Sequence, residues 1–127
     1  MSDGLIHERL THSVIGAFFE VYNTLDFGLL EHLYVAALEH ELRARGHRVG
    51  REVPVIVYYK GAEIDRHRLD VLVDETLVLE IKSTQVLPAI AVRQLHNYLC
   101  VARLHVGLLL HFGPEPKFYR VVNRPTR

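Results

Sequence analysis

Apolar residues near the start of the chain recur at helical spacing. Between residues 5 and 24, Leu10, Val14, Ala17, Phe18 and Val21 fall three and four apart, and Ile15, Phe19 and Tyr22 widen that face. Asn23 to Gly28 breaks the period with loop chemistry. A second helix is predicted from about Leu29 to Arg45, with Leu30, Leu33, Ala37 and Leu38 as its apolar stripe. Arg43 and Arg45 give it a basic last turn, and Gly46 stops it. From Val49 the pattern turns β-branched and aromatic. Strands are predicted at Val49 to Tyr59, Ala62 to Val73 and Leu77 to Lys82, with turns at Lys60-Gly61 and Asp74-Glu75-Thr76. Pro54 belongs at an edge or a bulge. Leu77, Val78 and Leu79 are apolar on both faces, the mark of a central strand. After a loop from Ser83 to Pro88, a helix is predicted from Ala89 to about Arg103, with Ile90, Leu95, Tyr98 and Leu99 on its apolar face. A buried strand, Leu104 to His111, a turn, a short strand, Lys117 to Val122, and a loose tail from Asn123 follow.

The order α-α-β-β-β-α-β-β predicts an α/β fold with a mixed central sheet flanked by helices. Short turns make the first three strands an antiparallel meander. A helical crossover lets the fourth strand lie parallel to its partner.

Composition narrows the class. A chain of 127 residues, 49% apolar and 24% charged, suits a single globular domain over 1–127. No apolar run reaches the roughly 18 to 20 residues of a membrane span, and the first residues do not read as a secretory signal. One cysteine, Cys100, excludes an internal disulfide and suits a reducing compartment, so a cytoplasmic protein with no membrane partner is expected. Cys100 itself reads as a small buried apolar residue. Zero net charge argues against a non-specific DNA coater, while leaving room for a local basic face or a bound metal.

The chemistry concentrates between Arg66 and Lys82. Strand alternation places Glu80 and Lys82 on one face, with Leu77, Leu79 and Ile81 on the other. A hairpin register centred on the Asp74–Thr76 turn puts Asp70 opposite Glu80. Two facing carboxylates repel unless a cation lies between them. Mg²⁺, or Mn²⁺, suits such a pair together with waters and phosphate oxygens. Lys82 would orient a water or offset developing negative charge. The plainer reading is an ion pair on the rim of a sheet. The nine histidines show no compact zinc spacing with cysteine, and His67 and His96 are the two that would approach this region. Arg66, Arg68 and Arg93 are the better phosphate ligands by type.

Gly28-Leu29-Leu30-Glu31-His32-Leu33-Tyr34 carries a G-x-x-E-x-x-Y signature. With Val14-Ile15-Gly16-Ala17, Arg68-Leu69-Asp70, Glu80-Ile81-Lys82, Gln94 to Leu99 and Leu108 to Gly113, the chain resembles the GxxExxY protein family. That family is placed in the PD-(D/E)XK superfamily of restriction-endonuclease-like nucleases. The resemblance implies a restriction-endonuclease-like core and a metal-dependent nuclease acting on nucleic acid, DNA before RNA. It implies Asp70 and Glu80 as metal-binding acids, with the Ile81 carbonyl and Glu31 as further ligands, and Lys82 as the lysine of E-x-K. Gln94 and Tyr98 resemble a Q-x-x-x-Y helix motif beside the site in related nucleases, and four residues apart they share a helix face. Leu69 stands where the superfamily's name places proline. Glu31 also reads as an ordinary first-turn acid, and Tyr34 and Tyr98 as core residues. The alternative function is a nuclease fold used as a non-catalytic nucleic-acid-binding or assembly module. A homodimer or a partner protein is compatible with either.

Overall fold

Eight elements follow the predicted order in a computed structural model, which describes residues 7–124. They are α1 (Glu8–Leu25), α2 (Glu31–Ala44), β1 (Val49–Tyr59), β2 (Ala62–Val73), β3 (Leu77–Lys82), α3 (Ala91–Ala102), β4 (Val106–Phe112) and β5 (Pro116–Val122). The strands lie in the order β1-β2-β3-β4-β5, parallel between β3 and β4 and antiparallel elsewhere. The meander and the helical crossover are therefore as predicted, and Pro54 sits on an edge strand. The predicted helical residues 5 and 6 and the last three residues of the tail lie outside the described residues.

The apolar alternation of β3 is satisfied on both faces. Leu77, Leu79 and Ile81 join the core under α1 and α2, and Val78 joins the core under α3. All four side chains are fully buried, worth about 1.5–3 kcal/mol each. Gly107 lets α3 approach β4 closely, because a Cβ there would stand 3.0 Å from Leu95 Cδ1.

Three sequence expectations are corrected. The buried stripe of α2 is Tyr34, Val35, Leu38 and Leu42, whereas Leu30 is 67% and Leu33 42% exposed. The helix begins at Glu31, and Tyr34 takes the core position by stacking on Phe112 at 4.0 Å and 16°. Ile90 precedes α3 and is exposed. Cys100 faces outward on α3.

Tyr34 also holds the loop that leads into its own helix. Its hydroxyl donates to the Asp26 carbonyl and accepts the Leu29 N–H at 3.2 Å. Gly28, at φ 113°, makes the turn between them. The G-x-x-E-x-x-Y spacing thus has a local cause: the glycine turns the loop, the tyrosine anchors it, and the glutamate opens the helix between them. Tyr34→Phe keeps the ring and removes the anchor. It is expected to lower stability by about 1–3 kcal/mol in urea denaturation, because the Leu29 amide and Asp26 carbonyl lose their partner. Unchanged stability would contradict this account of the motif.

Candidate active site

The β2–β3 ladder follows the predicted register through Val73↔Leu77, Leu72↔Val78 and Val71↔Leu79. At Asp70 it stops. The Ile81 N–H donates to Asp70 Oδ2 at 3.0 Å, so a side chain takes over from backbone pairing where the strands part. Alternation also breaks here. Val71 and Val73 pack under α1 and α2, but Leu69 packs under α3. Glu52 faces Asp70 between the pairs Arg51↔Val71 and Val53↔Leu69, in a left-handed backbone at φ 51°. The β1–β2 ribbon therefore exchanges its faces at Asp70. That places the carboxylate at the opening between β2 and β3.

Glu80 lies across this opening and is only 7% exposed. Its Oε1 is buried without a hydrogen-bond partner. Burial pushes its carboxyl up to about 8; the charge of Asp70 adds to the shift, Lys82 and the Asp70 backbone N–H oppose it, and Glu31 adds a further push. Burial likewise raises Asp70, against the Ile81 N–H and Lys82. Glu31 approaches from the first turn of α2; partial burial and then Asp70 raise its carboxyl, while Lys82 lowers it. Ser83 Oγ–H donates to the Leu29 carbonyl at 2.6 Å, tying the end of β3 to the start of α2. Glu31 and Asp70 share a cleft of about 190 Å³ with His32, Val35, Arg51 and Glu52.

The structure thus brings Glu31, Asp70, Glu80 and Lys82 into one electrostatic neighbourhood. Tyr98 joins it from α3: burial and then the charges of Glu80 and Asp70 raise its hydroxyl. Gln94, one turn earlier, is half-buried, and among the described residues no hydrogen bond joins its side chain to these acids. His67 stacks on Tyr98, whereas His96 is exposed and lies 3.8 Å from Cys100 Sγ. Arg66 pairs with Glu63 at 3.0 Å and Arg68 with Glu52 at 3.8 Å, on exposed surface. Arg93 is exposed on α3. Sequence reasoning missed Glu52. The β1–β2 turn sets its register with Asp70 only after the one-residue shift between Val57 and Tyr58.

Among the described residues, no group of three or more His, Cys, Asp or Glu side chains gathers closely enough to hold an ion on its own. The pair Asp70 and Glu80 nevertheless fits a hard divalent cation. It offers oxygen donors, one of them orphaned and buried, and such cations are held by one or two carboxylates plus waters and substrate.

This arrangement of sheet, crossover helix and paired acids is that of a nuclease fold. The chain belongs to the PD-(D/E)XK nuclease superfamily, whose profile matches residues 8–123. The five-stranded mixed sheet flanked by helices is its restriction-endonuclease-like core. No curated protein matches the sequence. A solved structure titled "Crystal structure of SSO0001" shares the fold, with a TM-score of 0.60 over 94% of this chain and 17% identity. The present chain spans 60% of the length of that one.

The raised carboxyls fix a pH dependence. The folded state holds these protons more tightly than the unfolded chain. Their contribution to stability is full below the ordinary carboxylate range and is lost as pH rises toward about 8. Without divalent cations, the melting temperature is expected to fall between pH of about 5 and about 8, and Glu80→Gln to remove much of that fall. Parallel pH profiles for the two proteins would contradict the assignment.

Proposed function

We propose that this protein is a metal-dependent nuclease hydrolysing nucleic-acid phosphodiester bonds, DNA being the first substrate to test. The observation that carries the reading is the orphaned Glu80 Oε1, buried beside Asp70 where the β2–β3 ladder opens. A fold does not keep an unpartnered buried carboxyl oxygen without cost, and such groups mark functional sites. Superfamily membership points to the same chemistry.

In this reading Asp70 and Glu80 hold Mg²⁺ or Mn²⁺, with the Ile81 carbonyl and Glu31 as further donors. The Ile81 carbonyl is suited because an extended residue turns its C=O to the same edge as its N–H, and that N–H faces Asp70. The bound ion would supply Lewis-acid polarisation of the phosphate and a more acidic water. Asp70 also acts on the backbone, since by accepting the Ile81 N–H it holds β3 in place at the opening. Lys82, on the same strand face as Glu80, orients the attacking water and offsets charge that builds on the phosphate. Tyr98 and Gln94 line the approach from α3 and position the strand. The apolar face of Leu77, Leu79 and Ile81 keeps β3 fixed while this happens. No helix among the described residues is long and apolar enough to cross a membrane.

Cleavage of labelled single- and double-stranded DNA and RNA with Mg²⁺ or Mn²⁺ tests the proposal. Asp70→Asn, Glu80→Gln and Lys82→Met are each expected to lower the rate at least about 100-fold with the fold intact. Wild-type protein that cuts none of these substrates with either ion would overturn it.

A further inference from the structure

The face of β3 that carries Glu80 and Lys82 continues across the sheet. Parallel pairing sets Lys82 beside His111 on β4, and antiparallel pairing sets His111 beside Lys117, and Leu109 beside Tyr119, on β5. Paired residues share a face, so Lys82, His111, Lys117 and Tyr119 all lie on the α3 side, where Leu109 is packed. A cavity of about 470 Å³ lies there. Its lining includes Gln85, Val86, Leu87, His111, Lys117 and Tyr119. Adjacent strands lie roughly 5 Å apart, so Lys117 is only about 10 Å of sheet away from Lys82.

Both walls of the cavity are tied to the core. On one side the His111 Nε2–H donates to the Thr84 carbonyl at 2.9 Å, which holds the loop bearing Gln85, Val86 and Leu87. On the other, the Tyr22 hydroxyl donates from α1 to the Gly113 carbonyl at 2.6 Å and lies 3.0 Å from the Pro114 carbonyl oxygen, which holds the β4–β5 turn. Gly113 lets that turn pass close over the imidazole, since a Cβ there would stand 2.7 Å from His111 Cε1. The cavity is thus preformed by the fold.

Its chemistry is mixed. Tyr119 is an exposed aromatic ring, Val86 an apolar side chain left 76% exposed, and Gln85 carries both donors and an acceptor. Lys117 supplies positive charge, but its ammonium stands 4.0 Å from the carboxylate of Glu115, which also lines the cavity. Opposite charges so close make a poor hole for a free phosphate. An aromatic face with apolar neighbours and one amide suits a nucleobase, which is flat and edged with hydrogen-bonding groups. Lys117 and Glu115 are both mostly exposed, and such a pair contributes little, so the ammonium is open to a backbone phosphate next to that base.

We infer that this cavity seats an unpaired nucleotide of the substrate strand near the bond being cut, its base stacked on Tyr119 and its phosphate against Lys117. A base inside a duplex is covered by its neighbours and cannot lie on the tyrosine. The substrate is therefore single-stranded, or has a single-stranded end or flap. This inference rests on the nuclease reading, which supplies the bound strand and puts the cut beside Lys82.

Binding of a fluorescein-labelled oligothymidylate, with Ca²⁺ replacing Mg²⁺, is measured by anisotropy. Tyr119→Leu is expected to bind about tenfold more weakly than wild type, and Tyr119→Phe, which keeps the ring, within about twofold of it. On an abasic strand of the same length there is no base to stack, and Tyr119→Leu is expected to match wild type. Lys117→Gln is expected to lower the slope of log affinity against log salt by about 0.7, the value for one phosphate contact on a single strand. Both residues are exposed on an edge strand, and melting temperatures check that the variants are folded. The abasic strand is a second control, because a folding defect would weaken its binding too. Four results each overturn the proposal: Tyr119→Leu binding oligothymidylate like wild type, Tyr119→Leu losing as much on the abasic strand, Lys117→Gln keeping the full salt slope, or wild type binding no single strand. Cleavage with Mg²⁺ is scored separately. Wild type that binds through Tyr119 and Lys117 yet cuts nothing removes the nuclease reading and leaves the subsite standing. Wild type that cuts while Tyr119→Leu binds as well as it does removes the subsite and leaves the nuclease reading standing.

Discussion

The hydrogen bond from the Ile81 N–H to Asp70 Oδ2 is the hinge of this molecule. A backbone ladder that continued would bring β2 and β3 together and shut the space between them. A carboxylate in its place satisfies the amide and keeps the strands apart. The opening then takes Glu80 from the α3 side and Glu31 from the α2 side. Both the acidity of the site and its access depend on that one exchange of partner. The cost is visible: three carboxyls with raised pKa values, and a buried oxygen with nothing to bond.

The rest of the fold makes the opening rigid. Phe112 at the end of β4 stacks on Tyr34 and meets Phe18 edge-on at 4.9 Å, locking α1, α2 and the sheet together. Tyr34 fixes the loop before Glu31, and Ser83 ties that loop to the end of β3. On the other side, His111 Nε2–H donates to the Thr84 carbonyl at 2.9 Å and holds the start of the loop that leads to α3. Glu31 and Lys82 are thus each pinned within a few residues.

Much of this is legible in the sequence because it follows from short-range rules. Alternation and a three-residue turn are enough to place Asp70 near Glu80, and the doubly apolar run of Leu77 to Leu79 marks the central strand. The α2 stripe is not legible, because Leu30 and Leu33 match the helical period as well as Tyr34 and Val35 do. Choosing between them takes knowledge of Phe112, far along the chain. Glu52 and the face of His67 are hidden for a related reason. Strict alternation fails at Asp70, and no local pattern announces a left-handed glutamate on the neighbouring strand. The expectation that Glu31 joins the site comes from the resemblance and not from periodicity, which offers only a first-turn acid.

In the proposed function a divalent cation closes the opening and displaces a proton from Glu80. Calorimetry of Mn²⁺ binding at neutral pH, repeated in buffers of different ionisation enthalpy, counts that proton directly. Saturable binding with release of roughly one proton is expected in the wild type, and weak binding without release in Glu80→Gln. Absence of binding to the wild type, or binding with no proton released, would contradict it.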